Sequence, residues 1–159
     1  DTGFRGVRFN FMPHLGESVP APALLALTRR LAALDMHLQV HFASGLVHSL
    51  APVLAQSAVP VVIDHMGRTD ARAGTGTPGF QSLVKLVGDG GCWVKLSGAH
   101  RLSNNAPDYP EAKPFHEALV RANPERLVWG SDWAHPGLPA NEKPDDAALM
   151  QAIEQALAK

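Results

Sequence analysis

Val59-Pro60-Val61-Val62-Ile63-Asp64-His65 is a near-continuous apolar run that ends on two ionisable residues. A strand with one face in water alternates apolar and polar side chains. An unbroken run of branched residues instead marks a strand buried on both faces, which belongs to a parallel sheet covered by helices. On its N-terminal side, Leu46, Leu50, Val53 and Leu54 mark a helix and 37–42 a strand. Before these, Leu24, Leu27, Leu31 and Leu34 recur at helical spacing within 22–35, and 6–10 is a further short strand. On the C-terminal side, Phe80, Leu83, Val84 and Val87 share a helix face, 92–97 is a strand, 113–122 a helix and 126–132 a strand. Leu149, Ile153 and Leu157 form the stripe of a last helix, with Asp145 or Asp146 as its N-cap. Five strands alternating with five helices predict an α/β fold with a parallel sheet, in a single domain over residues 1–159.

The polar residues collect where these strands end. Arg8 and Asn10 close the first, His41 the second, and His65 the third, with Arg68 just beyond Gly67. Ser97 closes the fourth, followed by His100 and Arg101, and Asp132 closes the fifth, followed by His135. Side chains at the C-terminal ends of parallel strands point into one shared mouth, where barrel active sites lie. Asp132 stands between Trp129-Gly130-Ser131 and Trp133, an apolar setting in which a carboxylate needs a partner. Arg8, Arg68 and Arg101 suit an anionic substrate, because a guanidinium pairs a carboxylate bidentately. Hydrolysis of an ester or lactone needs a base beside a water and a donor at the developing oxyanion; Asp132 can serve as the first and His65 or His41 as the second. The loops 73–79 and 100–114 are long for connectors and read as functional strand-to-helix loops. His37, His48 and His116 read as satisfied structural histidines, Met12, Met36 and Trp93 as packing, and Arg5, Arg29, Arg30, Arg121 and Arg126 as solvated charges.

Composition excludes several classes. Fourteen basic against 15 acidic residues, a net charge of -1, leaves no footprint for nucleic acid or an anionic membrane. One cysteine, Cys92, cannot form an intrachain disulfide, and no apolar run is long enough to span a bilayer. A cytoplasmic enzyme with a small-molecule substrate is the expectation. Asp1 runs straight into Gly3-Phe4-Arg5-Gly6 with no initiator methionine, so the chain reads as part of a longer protein.

Four blocks are familiar in combination: Gly3-Phe4-Arg5-Gly6-Val7-Arg8-Phe9-Asn10, Val62-Ile63-Asp64-His65-Met66-Gly67-Arg68, Val94-Lys95-Leu96-Ser97-Gly98 and Leu127-Val128-Trp129-Gly130-Ser131-Asp132-Trp133-Ala134-His135. They resemble the amidohydrolase-2 family of the amidohydrolase superfamily, within it the 2-pyrone-4,6-dicarboxylate hydrolase and sugar-lactonase branch. The resemblance implies a (β/α)8 TIM barrel of which this chain holds the last five βα units, with an N-terminal barrel segment missing. It implies hydrolysis of a lactone of a small carboxylate-bearing substrate. Asp132 would activate the water, and His41 and His65 would ligate metal or polarise the carbonyl. Arg8, Arg68 and Arg101 would bind carboxylate, with Asn10, His14, Ser97 and His135 completing the substrate-binding set. His14 falls at a turn where the pyrone-dicarboxylate enzymes use another arginine. No His-x-His pair occurs in the sequence, and the cofactor stays open: a divalent metal such as zinc on His41, His65 and Asp132, or none. The alternatives are a metal-dependent decarboxylase or other metal-dependent hydrolase of the superfamily, and a non-catalytic barrel fragment.

Overall fold

The computed structural model describes residues 3–12 and 19–158, so the expectation for His14 lies outside the described residues. Five strands, β1 (Gly6–Phe11), β2 (His37–Phe42), β3 (Val61–Ile63), β4 (Trp93–Leu96) and β5 (Leu127–Trp129), form one sheet in sequence order. Each neighbouring pair is parallel. The helices α1 (Ala21–Ala32), α2 (Val47–Leu54), α3 (Pro78–Gly88), α4 (Lys113–Ala122) and α5 (Asp146–Leu157) alternate with them, as the periodicity predicts.

Alternation along each strand divides the sheet into two faces. Leu38, Val40 and Phe42 of β2, Val61 and Ile63 of β3, and Val94 and Leu96 of β4 are buried in the main core with Leu24, Leu31, Leu54, Leu83 and Leu119 of the helices. Phe80 and Phe115 meet at 4.8 Å between ring centres, joining α3 to α4 inside that layer. The intervening residues, Arg8 and Asn10, Gln39 and His41, Lys95 and Ser97, face the opposite side and line a cavity. The run 59–65 was expected to be apolar on both faces; its inner face in fact carries polar chemistry. Among the described residues β1 pairs only with β2 and β5 only with β4, and Val128 and Trp129 on β5 stay 38% and 40% exposed.

Two helix starts follow from their caps. Thr77 accepts from the Phe80 amide ahead of Pro78, and Asp145 accepts from the Ala147 amide at 2.7 Å, which decides between the two expected caps of α5. Three boundaries are shorter than the sequence suggests. The first helix ends at Ala32 because the chain turns through Asp35, whose φ is 51°, to bring Met36 back on Leu31. The third strand ends at Ile63 and the fifth at Trp129, because the backbone beyond them bends to form the site.

Candidate active site

The bends are left-handed turns at non-glycine residues. His65, Met66 and Arg68 have φ of 51°, 51° and 47°, with Gly67 at 66° between them; Asp132 has φ of 68° and His135 of 52°. Such conformations are strained for ordinary residues and persist where the surrounding structure fixes them, which is common at functional sites. Gly67 continues the turn, and Arg68 returns to the cavity. Gly98, with φ of 67°, is required by proximity as well: a Cβ there would stand 3.0 Å from His65 Nδ1.

The cavity holds about 820 Å³. Nine of the ten expected site residues are described, and eight line it: Arg8, Asn10, His41, His65, Arg68, Ser97, Arg101 and Asp132. His135 does not. Its ring is buried, with Nε2 3.1 Å from Asp146 Oδ1 at the start of α5, so it ties the strand-end loop to the helix. The loop 73–79 does not reach this cavity either; it borders a separate hollow with Ser44 and His48. The loop 100–114 does, through Arg101, and continues into an adjoining hollow of about 450 Å³ that shares Arg68 and Arg101. Glu111 accepts from Ser103 and Asn105 and pins that loop.

Asp132 has three side-chain partners. Arg101 Nε donates to Oδ2 at 2.5 Å, His100 Nε2 lies 3.3 Å from the same oxygen, and His65 Nε2 lies 3.4 Å from Oδ1. Burial alone would raise its carboxyl. The contacts with His100, Arg101 and His65 outweigh burial and hold it well below the usual carboxylate range. His65 Nδ1 is 2.9 Å from Ser97 Oγ, which fixes the ring. Burial pushes His65 down to about 4 against the opposing pull of Asp132 and Asp64. His41 is pushed to about 4 by burial and then by Arg8. Both imidazoles are therefore neutral near pH 7. His41 stands edge-on to His65 with 5.2 Å between ring centres, and both its nitrogens are buried without a hydrogen-bond partner.

Beneath this mouth lies a layer the strand-end reading passed over. Asp64 is only 2% exposed and accepts Arg8 through Nε at 2.8 Å and Nη2 at 2.7 Å, and Gln39 Nε2 at 2.9 Å on each oxygen; Lys95 Nζ stands 3.2 Å from Oδ1. Gln39 and Lys95 each sit two residues before His41 and Ser97, so the period of two that assigned the strands also points them at the cavity. Arg8 was expected to bind the substrate's carboxylate; its Nε and Nη2 are engaged by Asp64, while its side chain stays 43% exposed at the cavity.

Two donor sets bear on a metal. The expected set of His41, His65 and Asp132 has the right chemistry, since neither ring nitrogen of His41 has a partner and a neutral imidazole offers one lone pair to a metal. Among the described residues, the three donors whose ligand atoms all lie within 4.8 Å of one another are instead His100, Asp132 and His135. In either set Arg101 occupies Oδ2 of the shared aspartate.

His116 is buried as expected of a structural histidine, but neither ring nitrogen has a partner. Arg126 is not merely solvated, its guanidinium lying 5.2 Å above the Trp93 ring. No helix among the described residues is long and apolar enough to cross a membrane.

Known proteins resemble this chain in sequence and fold. The chain is 40% identical over 153 residues to a 4-sulfomuconolactone hydrolase of Hydrogenophaga intermedia, covering 95% of this chain and 50% of that protein. It is 33% identical over 162 residues to a 2-pyrone-4,6-dicarboxylate hydrolase of Comamonas testosteroni, covering 96% and 53%. Among solved structures it matches a probable 2-pyrone-4,6-dicarboxylic acid hydrolase of Acinetobacter baumannii with citric acid bound, at 27% identity and a TM-score of 0.80, over 99% of this chain and 58% of that one. The chain thus spans about half the length of the curated relatives it matches, in keeping with a partial TIM barrel. The family described as Amidohydrolase matches residues 1–159, and the chain belongs to that family.

Proposed function

We propose that this chain carries the C-terminal catalytic part of a hydrolase that opens lactones of small acid-bearing molecules. The observation that carries the reading is the junction at Asp132: a carboxylate, a neutral histidine 3.4 Å away and an arginine bonded to it, all within one cavity. The names of the relatives, lactone hydrolases of a dicarboxylate and a sulfonate, agree with it.

Asp132 takes a proton from water as its oxygen adds to the lactone carbonyl. His65, with Nε2–H favoured by the carboxylate beside it, donates to the oxyanion. The carbonyl re-forms, the ring C–O bond breaks, and Asp132 returns the proton to the departing alkoxide, giving the hydroxy acid. An aspartate held as low as Asp132 is a weak base, so the substrate's own anion has a part in the chemistry. By drawing the Arg101 guanidinium toward itself, it restores basicity to Asp132 at the moment the lactone is in place. A divalent ion on His41, His65 and Asp132, or on His100, Asp132 and His135, would add Lewis-acid polarisation of the carbonyl.

The test is acid release in a pH-stat when the full chain meets an acid-bearing lactone and an uncharged analogue. Opening of the first, and slower opening of the second, is expected; failure to open any lactone overturns the reading. A metal-dependent decarboxylase of the same superfamily is the second reading, favoured by the close His100–Asp132–His135 donors. It requires release of carbon dioxide and loss of activity on chelation.

A further inference from the structure

The layer beneath the mouth holds more positive charge than its carboxylate needs. Asp64 is fully engaged by Arg8, whose two nitrogens share Oδ2, and by Gln39, which spans both oxygens. That alone satisfies a buried carboxylate. The Gln39 hydrogen bond and the charges of Lys95 and Arg8 outweigh burial and keep Asp64 ionised, below the usual carboxylate range. Lys95 is the surplus. It reaches Asp64 at a single ion-pair distance of 3.2 Å, its side chain is 30% exposed, and it lines the cavity that contains Asp132. An ammonium has three donors on a flexible stem, so one long contact leaves the others for the cavity. The bland reading, a lysine present to neutralise Asp64, leaves the Arg8 fork redundant. Across the whole cavity the fixed charges are Arg8, Arg68, Lys95 and Arg101 against Asp64 and Asp132, an excess of two positive groups placed at different heights. Arg68 and Arg101 border the adjoining hollow at the rim, whereas Lys95 lies on β4 two residues below Ser97.

Building on the lactonase reading, we infer that Lys95 is a substrate-binding residue, the ligand for a second acid group of the lactone at the cavity floor, with the first held at the rim by Arg68 and Arg101. Asp64 is its positioning residue. It holds the ammonium at the floor in the empty site and gives up that one contact when the substrate's acid group arrives, while keeping Arg8 and Gln39.

The experiment compares KM for two lactones of one ring system, bearing one and two acid groups, in wild type, Lys95→Met and Lys95→Arg of the full chain. Lys95→Met should raise KM for the two-acid lactone about ten- to a hundredfold more than for the one-acid lactone, as loss of one charged hydrogen bond implies. Lys95→Arg should recover most of the difference. An equal rise on both substrates, or a fall in Tm with no change in the KM ratio, overturns the role. Calorimetry with citrate, a tricarboxylate probe, reads the site without turnover: Lys95→Met should bind it at least about tenfold more weakly. Equal citrate binding in wild type and Lys95→Met overturns the role of Lys95 even if lactones are opened. Weakened citrate binding in a protein that opens no lactone leaves Lys95 an anion ligand and removes only the hydrolase reading.

Discussion

Arg101 and Asp132 are bonded to each other, Nε to Oδ2 at 2.5 Å, so the cation expected to hold the substrate's acid group also sets the basicity of the carboxylate expected to activate water. The two expectations are therefore one device. The coupling has a sign. Arg101 favours ionised Asp132, and its loss lets burial lift that carboxyl back toward the ordinary range, with His100 and His65 still opposing the rise.

For Arg101→Met, the acid limb of kcat/KM should consequently move to higher pH, because the base form of Asp132 is present only above its own pKa. KM for an acid-bearing lactone should rise by about one to two powers of ten as a charged hydrogen bond is lost, and by less for an uncharged lactone. A pH profile that keeps the wild-type acid limb would show that Arg101 does not act on Asp132.

Asp132→Asn keeps the shape and a hydrogen-bond acceptor for Arg101 but cannot take the proton. It should lower kcat by about 10²–10⁴, the usual worth of general acid–base catalysis. Because Arg101 keeps a hydrogen-bond acceptor and loses only its charge partner, Tm should fall by a few degrees. Turnover close to wild type with a large loss of Tm would make Asp132 a structural ion-pair partner.

His116 is buried, only 2% exposed, and burial alone pushes it from 6.5 to about 4. A group whose folded pKa is depressed stays neutral in the folded state while the unfolded chain takes up a proton. Its contribution to stability is intact above about pH 6.5 and is lost as pH falls toward about 4, with a slope near 1.4 kcal/mol per pH unit. His116→Leu should raise Tm at about pH 5 more than at about pH 7.5, since it also removes two unpartnered ring nitrogens from an apolar setting. Part of the slope should survive through His41 and His65, which are depressed in the same direction. Parallel Tm–pH curves for wild type and variant would show that His116 is not protonated on unfolding in that window.

What was legible in the sequence, and what was not, follows from the physics of each signal. The runs around Val61 and Val94 reveal their strands, because burial of the outer face demands branched apolar residues. The bends after Ile63 and Trp129 were invisible, since left-handed backbone at His65 and Asp132 is fixed by tertiary contacts and leaves no compositional trace. Reading only strand ends brought in His135, which lies outside the cavity lining with Nε2 on Asp146, a residue that local pattern marks merely as a helix start. The same habit omitted Gln39, Asp64 and Lys95, although the two-residue period that placed His41 and Ser97 on the inner face also placed Gln39 and Lys95 there.

Gly98 offers the most local test of how the site is held. Its φ of 67° is left-handed, and a Cβ would stand 3.0 Å from His65 Nδ1 and 3.2 Å from Arg101 Cδ, the two side chains that flank Asp132. Gly98→Ala should therefore act twice, through backbone strain of about 1–2 kcal/mol and through displacement of both groups from the carboxylate. A control separates the effects. Gly74 has a comparable φ of 72°, with ψ of 173°, where alanine is at least as strained, yet nothing lies within 4 Å of the Cβ it would gain. Gly74→Ala should lower Tm as much as Gly98→Ala or more and retain most of kcat. Gly98→Ala should lose at least about tenfold in kcat at a similar Tm, because a displacement of a few tenths of an ångström at His65 breaks the alignment that the reaction needs. If the two variants lose activity in proportion to their loss of stability, the strained turns at Gly98 and His65 serve the fold alone.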